Sequence, residues 1–404
     1  MKRRTMLQQL AGWAAAAGLV GRTRADVRAR RIVVVGAGIV GAAVAFRLAR
    51  RGARVTILDK AGPAAGATSR SFAWINADVS KRPQHYHELN RLGLWSYRSL
   101  EQELPGLPVQ WGGALQWQSD ARASEDLRRQ VHEQQQWGYP IRLIDEREIR
   151  DLEPELRVDG IRAAAFAEQE GFLDPAATTC RLLDAAVHAG AELRAPCEAT
   201  GLDVRAHGVT TVRTSCGDVA ADVVVVAAGV HTPAIAAMAA VPVPLVPAPG
   251  LLVHTPPLPS RLHRVVVGPA AHIKQYRDGR VVIGDDLGPP ASAAHQPLAA
   301  QPLDFPDEAI RAIHAQRLLR EAAQYLPALG AAPVDRVTVG WRPMPKDGYP
   351  IVGSSRECPN LYVAVTHSGV TLAPILSELA TIEILDEVEV QALAPYRLSR
   401  FSAG

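Results

Sequence analysis

Residues 31–59 constrain the fold more than any other stretch. Arg31-Ile-Val-Val-Val ends at Gly36 and reads as a short, fully buried strand, and Gly38 to Arg51 carries small and apolar residues at helical spacing. Arg54-Val-Thr-Ile-Leu-Asp59 reads as a second buried strand. Together they make a β-α-β unit with parallel pairing, which implies a doubly wound sheet. Between strand and helix lies Gly36-Ala-Gly38-Ile-Val-Gly41. The first glycine makes the turn, the second lets the backbone approach a pyrophosphate, and the third lets helix pack on strand. A phosphate there meets free N–H groups and the positive end of the helix dipole. Asp59 can accept hydrogen bonds from both ribose hydroxyls and repels a 2′-phosphate. The alternative is a glycine-rich turn that binds nothing; the flanking strand and helix and the placing of Asp59 argue against it. The motif does not choose between NAD and FAD.

Helical patterns follow at about 82–103 and 123–138, with a Trp-rich strand stretch, Val109 to Gln118, between them. Asp174 and Pro175 suit the N-cap and first position of another helix, with Gly190 just past its end. Residues 193–204 and 209–216 read as strands around Ala206-His207-Gly208, and Asp222 to Ala227 as a strongly apolar strand. Seven prolines among residues 242–259 predict an extended crossover and no central strand. A strand pair (272–284), a helix (307–326), strands at 336–343 and 361–366 and an apolar helix over 371–386 complete the chain.

The 404 residues suggest two or three domains, and 48% apolar with 21% charged residues is the balance of a globular protein. No apolar run reaches the ~18–20 residues of a bilayer span. The net charge is +3, but residues 1–25 hold five cations and no acid, leaving 39 basic against 41 acidic residues beyond them. That excludes the basic surplus of a nucleic-acid binder. The first 25 residues have a charged start with Arg3-Arg4, an apolar core to Gly21, and Thr23-Arg24-Ala25 as a cleavage site. This is the layout of an export signal of twin-arginine (Tat) type. It implies a periplasmic protein, or a cytoplasmic one if the leader is not used. The four cysteines, Cys180, Cys197, Cys216 and Cys358, have no zinc spacing, so no metal site is expected. The hairpin sets Cys197 nearly opposite Cys216; a register slip of one residue separates them, and two free thiols are the expectation.

Four segments decide the cofactor. Gly66-Ala-Thr-Ser-Arg-Ser-Phe-Ala-Trp-Ile-Asn76 supplies hydroxyl and backbone donors, and Asp222-Val-Val-Val-Val-Ala-Ala-Gly229 is a strand ending in small residues. Near the C-terminus come Gly340-Trp-Arg-Pro-Met-Pro-Lys-Asp-Gly-Tyr-Pro-Ile-Val-Gly353 and Asn360-Leu-Tyr-Val-Ala-Val-Thr-His-Ser-Gly-Val-Thr-Leu-Ala-Pro374. From about residue 30 to 390 the chain resembles the D-amino-acid oxidase (DAO) superfamily of FAD enzymes, which includes glycine oxidase, sarcosine oxidase and D-amino-acid dehydrogenase. The resemblance implies an α/β fold with a discontinuous Rossmann-like FAD-binding domain (30–95, 155–240 and 335–395). A mixed-sheet α+β substrate domain would take 96–154 and 241–334.

By the same resemblance, Gly36, Gly38, Ile39, Val40 and Gly41 would face the diphosphate, and Asp59 and Lys60 the adenosine ribose. Thr68, Ser69, Ala73, Trp74, Ile75 and Gly229 would line the FAD. Thr366, His367, Ser368, Gly369, Val370 and Thr371 would close over the isoalloxazine, with the N-terminus of the last helix aimed at its N1–C2 carbonyl. The alternative for that segment is an ordinary loop-to-helix cap. Arg342 would grip a substrate carboxylate through two parallel hydrogen bonds, or form a structural ion pair. Tyr276, with Lys274, lies where relatives place a substrate-facing residue, or on an exposed strand face. His367 either faces the flavin or caps the helix. His85 and His87 are expected on a solvated helix face. Some relatives attach FAD through a cysteine just after this arginine; Pro343 and Met344 stand there here, so FAD should be non-covalent.

The expected function is oxidation of the C–N bond of a D-amino acid, glycine, N-methyl amino acid or amine. Hydride would pass from Cα to flavin N5 and the imine would hydrolyse, with oxygen or a quinone as electron acceptor. The alternatives are a 2-hydroxyacid dehydrogenase, which would need a histidine base, and a flavoprotein subunit of a larger complex.

Overall fold

The computed structural model describes Val27 and residues 30–206, 208–246, 248–259, 261–285 and 308–401. The expected export signal, and His207 in the expected turn, lie outside the described residues. The β-α-β unit forms as read: Arg31–Val35 pairs in parallel with Arg54–Leu58, and the helix Ile39–Arg50 crosses between them. They belong to a six-stranded sheet in the order Ile351–Ser354, Leu361–Val365, Val223–Val226, Arg31–Val35, Arg54–Leu58, Glu192–Arg194. Neighbours run parallel except the first pair, which is antiparallel.

Such strands must be apolar on both faces. Val34 and Val225 pack beneath the helices Ile39–Arg50, Pro175–His188 and Gly369–Asp386. Val33, Val35, Val224 and Val226 pack on the other side against Val209, Val212 and Val219 of a three-stranded sheet, Ala199–Arg205, Gly208–Thr214 and Val219–Ala220. As read, Asp174 caps its helix by accepting from Ala177 N, and Pro175 is its first residue.

The second body is an eight-stranded mixed sheet in the order Arg336–Trp341, Pro249–Pro257, Arg280–Asp285, Ala271–Gln275, Val265–Val267, Ala114–Gln118, Ala163–Ala167, Ile141–Ile144. Two of its strands, Ala163–Ala167 and Arg336–Trp341, come from segments that the expected boundaries at 155 and 335 assign to the cofactor domain. The helix Glu308–Ala323 covers one face, with Leu318 and Ala322 against Leu251, Val253, Ile273, Ile283 and Val339.

Three expectations need correcting. Pro249–Pro257 is an interior strand, paired with Arg336–Trp341 on one side and Arg280–Asp285 on the other. The prolines cluster at its ends and leave Gly250 to Thr255 free of them, so every ladder N–H that a central strand needs is present. Cys197 and Cys216 are joined in a disulfide. The hairpin has two register irregularities, between Ala199 and Gly201 and between Asp203 and Val204, and they cancel, which returns Cys197 to a place opposite Cys216. His87 is buried, its Nδ1 3.2 Å from Gln134 Nε2 and its ring edge-on to Tyr139; only His85 is on the exposed face.

Candidate active site

A Cβ on Gly41 would lie 2.0 Å from Gly36 O, so helix and strand meet backbone to backbone. Gly36 has φ +113°, and its Cβ would lie 2.4 Å from Ala227 O. Gly38 is the helix N-cap and has no side chain to cap with; Thr68 Oγ1 accepts from Ile39 N at 3.1 Å instead. Val40 follows in the first turn. Asp59 Oδ2 accepts from Ala37 N at 2.8 Å, and Oδ1 from Ala61 N and Gly62 N at 2.9 Å. Asp59 thus fastens the glycine turn to the end of the second strand, and Lys60 beside it is exposed.

The last helix begins beside the first: a Cβ on Gly369 would lie 3.4 Å from Val40 Cγ2. Two helix N-termini therefore converge. Ser368 is the N-cap, and its side chain makes no capping hydrogen bond. The first turn is held from outside. Thr371 Oγ1 donates to Trp74 O at 3.1 Å and accepts from Asn76 N at 3.2 Å. Pro374 lacks the N–H that would bond Val370 O, four residues back. Tyr97 OH, from the helix Gln84–Glu103, takes that carbonyl at 2.6 Å. Tyr97 is fully buried, so Tyr97→Phe is expected to leave Val370 O unsatisfied and cost about 1–3 kcal/mol of stability, read as a drop in Tm.

The residues fit FAD on their own chemistry. Thr366 Oγ1 and Trp74 Nε1 are buried with no hydrogen-bond partner in the protein. Other buried atoms such as His87 Nε2 and Glu153 Oε2 also lack a partner, but these two lie in the segments that the resemblance gives to the flavin. Ala73, with φ +57°, and Ile75 are buried beside them, and Ser69 N donates to Ala64 O at 3.2 Å. Gly229, with φ +56°, opens a short turn with nothing within 4 Å of a Cβ position.

The residues expected on the substrate side lie on or beside one face of the eight-stranded sheet. Arg342 follows Arg336–Trp341; its Nη2 donates to Pro249 O at 2.9 Å and its Nε to Ala248 O at 3.3 Å. The guanidinium lies over Gly250, whose Cβ position is 3.4 Å from Nε. Alternation puts Leu252 and His254 on that same face, and cross-strand pairing adds Thr338, Gly284, His272, Val282 and Lys274. Gly340 lies under Arg70, where an added Cβ would come within 2.8 Å of the Arg70 Cβ, so this face looks onto the segment that the resemblance gives to the flavin. His367 is near enough to Arg342 and Lys81 to feel both charges; burial first, then those cations, pushes its imidazole down to about 3 and keeps it neutral.

A sequence model described as DAO, FAD dependent oxidoreductase, matches residues 31–381. The chain belongs to the DAO family. A glycine oxidase of Geobacillus kaustophilus is 26% identical over 380 residues, covering 91% of this chain and 96% of that protein. The bifunctional protein ThiO/ThiG of Trichormus variabilis is 28% identical over 92% of this chain and 55% of its own length, so the chain spans about half of that relative. The crystal structure of glycine oxidase from Geobacillus kaustophilus superimposes with TM-score 0.81 at 24% identity, over 92% of this chain and 99% of that one. The mixed α/β fold is thus that of the DAO family, and the family implies an FAD-dependent amino acid or amine oxidase or dehydrogenase.

Within this DAO-family site, Lys274 is not on an exposed strand face. It is fully buried, with Nζ donating to Leu173 O at 3.1 Å and lying 4.4 Å from the Tyr276 ring centroid, 5.1 Å from Phe172 and 5.3 Å from Phe72. Burial drives its amine well below the ordinary lysine range. Tyr276 is half-buried, its hydroxyl 3.4 Å from Leu173 O and raised by burial, so it stays protonated.

His254 escaped the sequence reading because the proline count hid the alternation of its strand. It is buried, 3.2 Å from Thr338 Oγ1, and burial lowers it to about 4. Also unforeseen is a buried polar group next to the stretch expected to line the flavin, made of Asp78, Lys81, Tyr139 and Glu170. No spacing in the sequence unites these four residues. Among the described residues no cluster could hold a metal ion, and no helix is long and apolar enough to cross a membrane.

Proposed function

We propose that the chain oxidises the C–N bond of a small carboxylated amino acid or amine, with FAD held non-covalently. The observation that carries this reading is Arg342, set on the glycine-bearing sheet face that looks onto the flavin-lining segments. A fork of N–H donors there, steered by Ala248 O and Pro249 O, fixes a carboxylate in one orientation. FAD, when bound, supplies the two-electron acceptor. The substrate gives up its Cα hydrogen with that bond's electron pair, and the imine left behind is hydrolysed by water to a carbonyl compound and free amine. The protein needs orientation and a neutral amine for this more than a side-chain base. Pro343 and Met344 offer no thiol for attachment.

A second reading, oxidation of a 2-hydroxyacid, would draw on His254, a neutral imidazole on the same sheet face as Arg342; burial lowers it to about 4, which makes it a weak proton acceptor at neutral pH. Dye-coupled turnover of glycine, D-amino acids, N-methyl amino acids and 2-hydroxyacids separates the two. Release of ammonia or methylamine supports the first; turnover of hydroxyacids alone supports the second. No turnover of any of them by the isolated, FAD-loaded chain points to a subunit of a larger complex.

Export to the periplasm is part of the proposal, with a respiratory quinone rather than oxygen as the favoured acceptor. The leader-like residues 1–25 support it, as does the Cys197–Cys216 disulfide, since such bonds persist in oxidising compartments. Protein recovered from the periplasm should titrate as two free thiols under denaturing conditions, Cys180 and Cys358, and as four after reduction. Four thiols before reduction would contradict this.

A further inference from the structure

The flavin-side turn of the last helix is tied to a buried charge cluster that C–N oxidation leaves without a role. Asp78, Lys81 and Glu170 are 5%, 8% and 0% exposed. Asp78 Oδ1 accepts from Ser80 Oγ at 2.6 Å and from Asn76 Nδ2 at 3.2 Å. Glu170 Oε1 accepts from Ala77 N and Tyr139 OH, both at 2.9 Å. Burial pushes both carboxyls up, Glu170 well up with Asp78 adding to it, while the Lys81 ammonium pulls both down. Burial thus disfavours the charge on both carboxyls, most strongly on Glu170, and the Lys81 charge favours it on each; Asp78, the less shifted of the two, is the carboxyl assigned as the counter-charge of Lys81.

The lysine directs the hydrogen bond of its head to the last helix. Its main-chain N–H donates to Asp78 O at 2.9 Å, but Nζ donates to Ser368 Oγ at 3.2 Å. Ser368 Oγ also meets Tyr86 OH at 2.9 Å. Ser368 is the N-cap of the last helix, which has no acidic residue in its first turn. A buried ammonium is costly, and the fold here places one behind a helix end that is already positive.

We propose that Lys81 is a positioning residue for the FAD: through Ser368 it presents a buried positive charge at the N-terminus of the last helix and so raises the reduction potential of the bound flavin. The helix end contributes roughly half a charge, and the ammonium adds to it in a poorly screened interior, less whatever Asp78 offsets. Reduction adds electron density to the isoalloxazine, so a nearby cation favours the reduced form. This inference rests on the reading that Thr366 to Thr371 closes over the flavin.

The test uses FAD-loaded protein and the flavin midpoint potential, after flavin content per chain has been measured. Lys81→Met is expected to disfavour reduction at least about tenfold, a fall of about 30 mV for a two-electron couple. Lys81→Arg should keep the wild-type value. Asp78→Asn removes the counter-charge and should move the potential upward. Full flavin content with a wild-type potential in Lys81→Met overturns the proposal. If Lys81→Met does not load flavin, Asp78→Asn decides: an unchanged or lowered potential overturns it. Wild-type protein that takes up no FAD would instead overturn the cofactor reading, so the two failures are distinguishable.

Discussion

Arg342→Ala is expected to raise KM for a carboxylated substrate about 10²- to 10³-fold while flavin content stays at the wild-type level. Removing one side of a buried, charge-assisted pair costs about 2–5 kcal/mol, and each 1.4 kcal/mol is a factor of ten. The substituted residue sits beyond the end of Arg336–Trp341, and its main-chain bond to Ala248 O does not depend on the side chain, so the sheet should survive the change. Arg342→Lys keeps the charge and loses the planar fork; it should fall between the two. Steady-state kinetics on the best substrate of each class measures this, and a wild-type KM on every carboxylated compound would remove Arg342 from the site.

Gly41→Val should abolish FAD binding. Even the first carbon of the new side chain would sit 2.0 Å from Gly36 O, so the first helix must move off the strand and carry its N-terminal amides with it. Flavin absorbance per chain should fall by more than about tenfold, since the diphosphate grip depends on those amides. Gly330→Ala is the matching control: its Cβ would meet nothing nearer than 3.9 Å, and the position is remote from the site. A Gly41→Val protein that folds and holds a full complement of FAD would contradict the reading of the glycine motif.

The parts of the site that local sequence determines were legible. A glycine turn between a buried strand and a helix needs only neighbouring residues to declare itself, and Gly36 and Gly41 make the tight turn and the close helix–strand packing that the spacing predicts. Asp59 adds something the spacing does not show, since its oxygens bond the amides of Ala37, Ala61 and Gly62. Long-range features were harder. The strand Pro249–Pro257 is a sheet interior because its partners, more than 20 residues away in sequence, shield it, and proline counting over a fixed window averages its proline-free centre with its ends. The Cys197–Cys216 bond depends on two register irregularities that cancel, which no alternation pattern foretells. Lys274, His254 and the Asp78–Lys81–Glu170 cluster are polar residues that ordinarily read as surface; Lys274 is enclosed by Phe72 and Phe172 from distant segments beside its neighbour Tyr276, and Glu170 meets Tyr139 from another strand connection.

The central claim is that this DAO-family chain binds FAD and that a carboxylated amine delivers electrons to it. The most direct measurement is the absorption spectrum of the purified protein, followed without oxygen as glycine, D-amino acids, N-methyl amino acids and 2-hydroxyacids are added in turn. The account predicts a flavin band that an amino acid or N-methyl amino acid bleaches and that Arg342→Ala bleaches only at far higher substrate concentration. A flavin band bleached by 2-hydroxyacids alone, or a protein that shows no flavin band even after reconstitution with FAD, would contradict it.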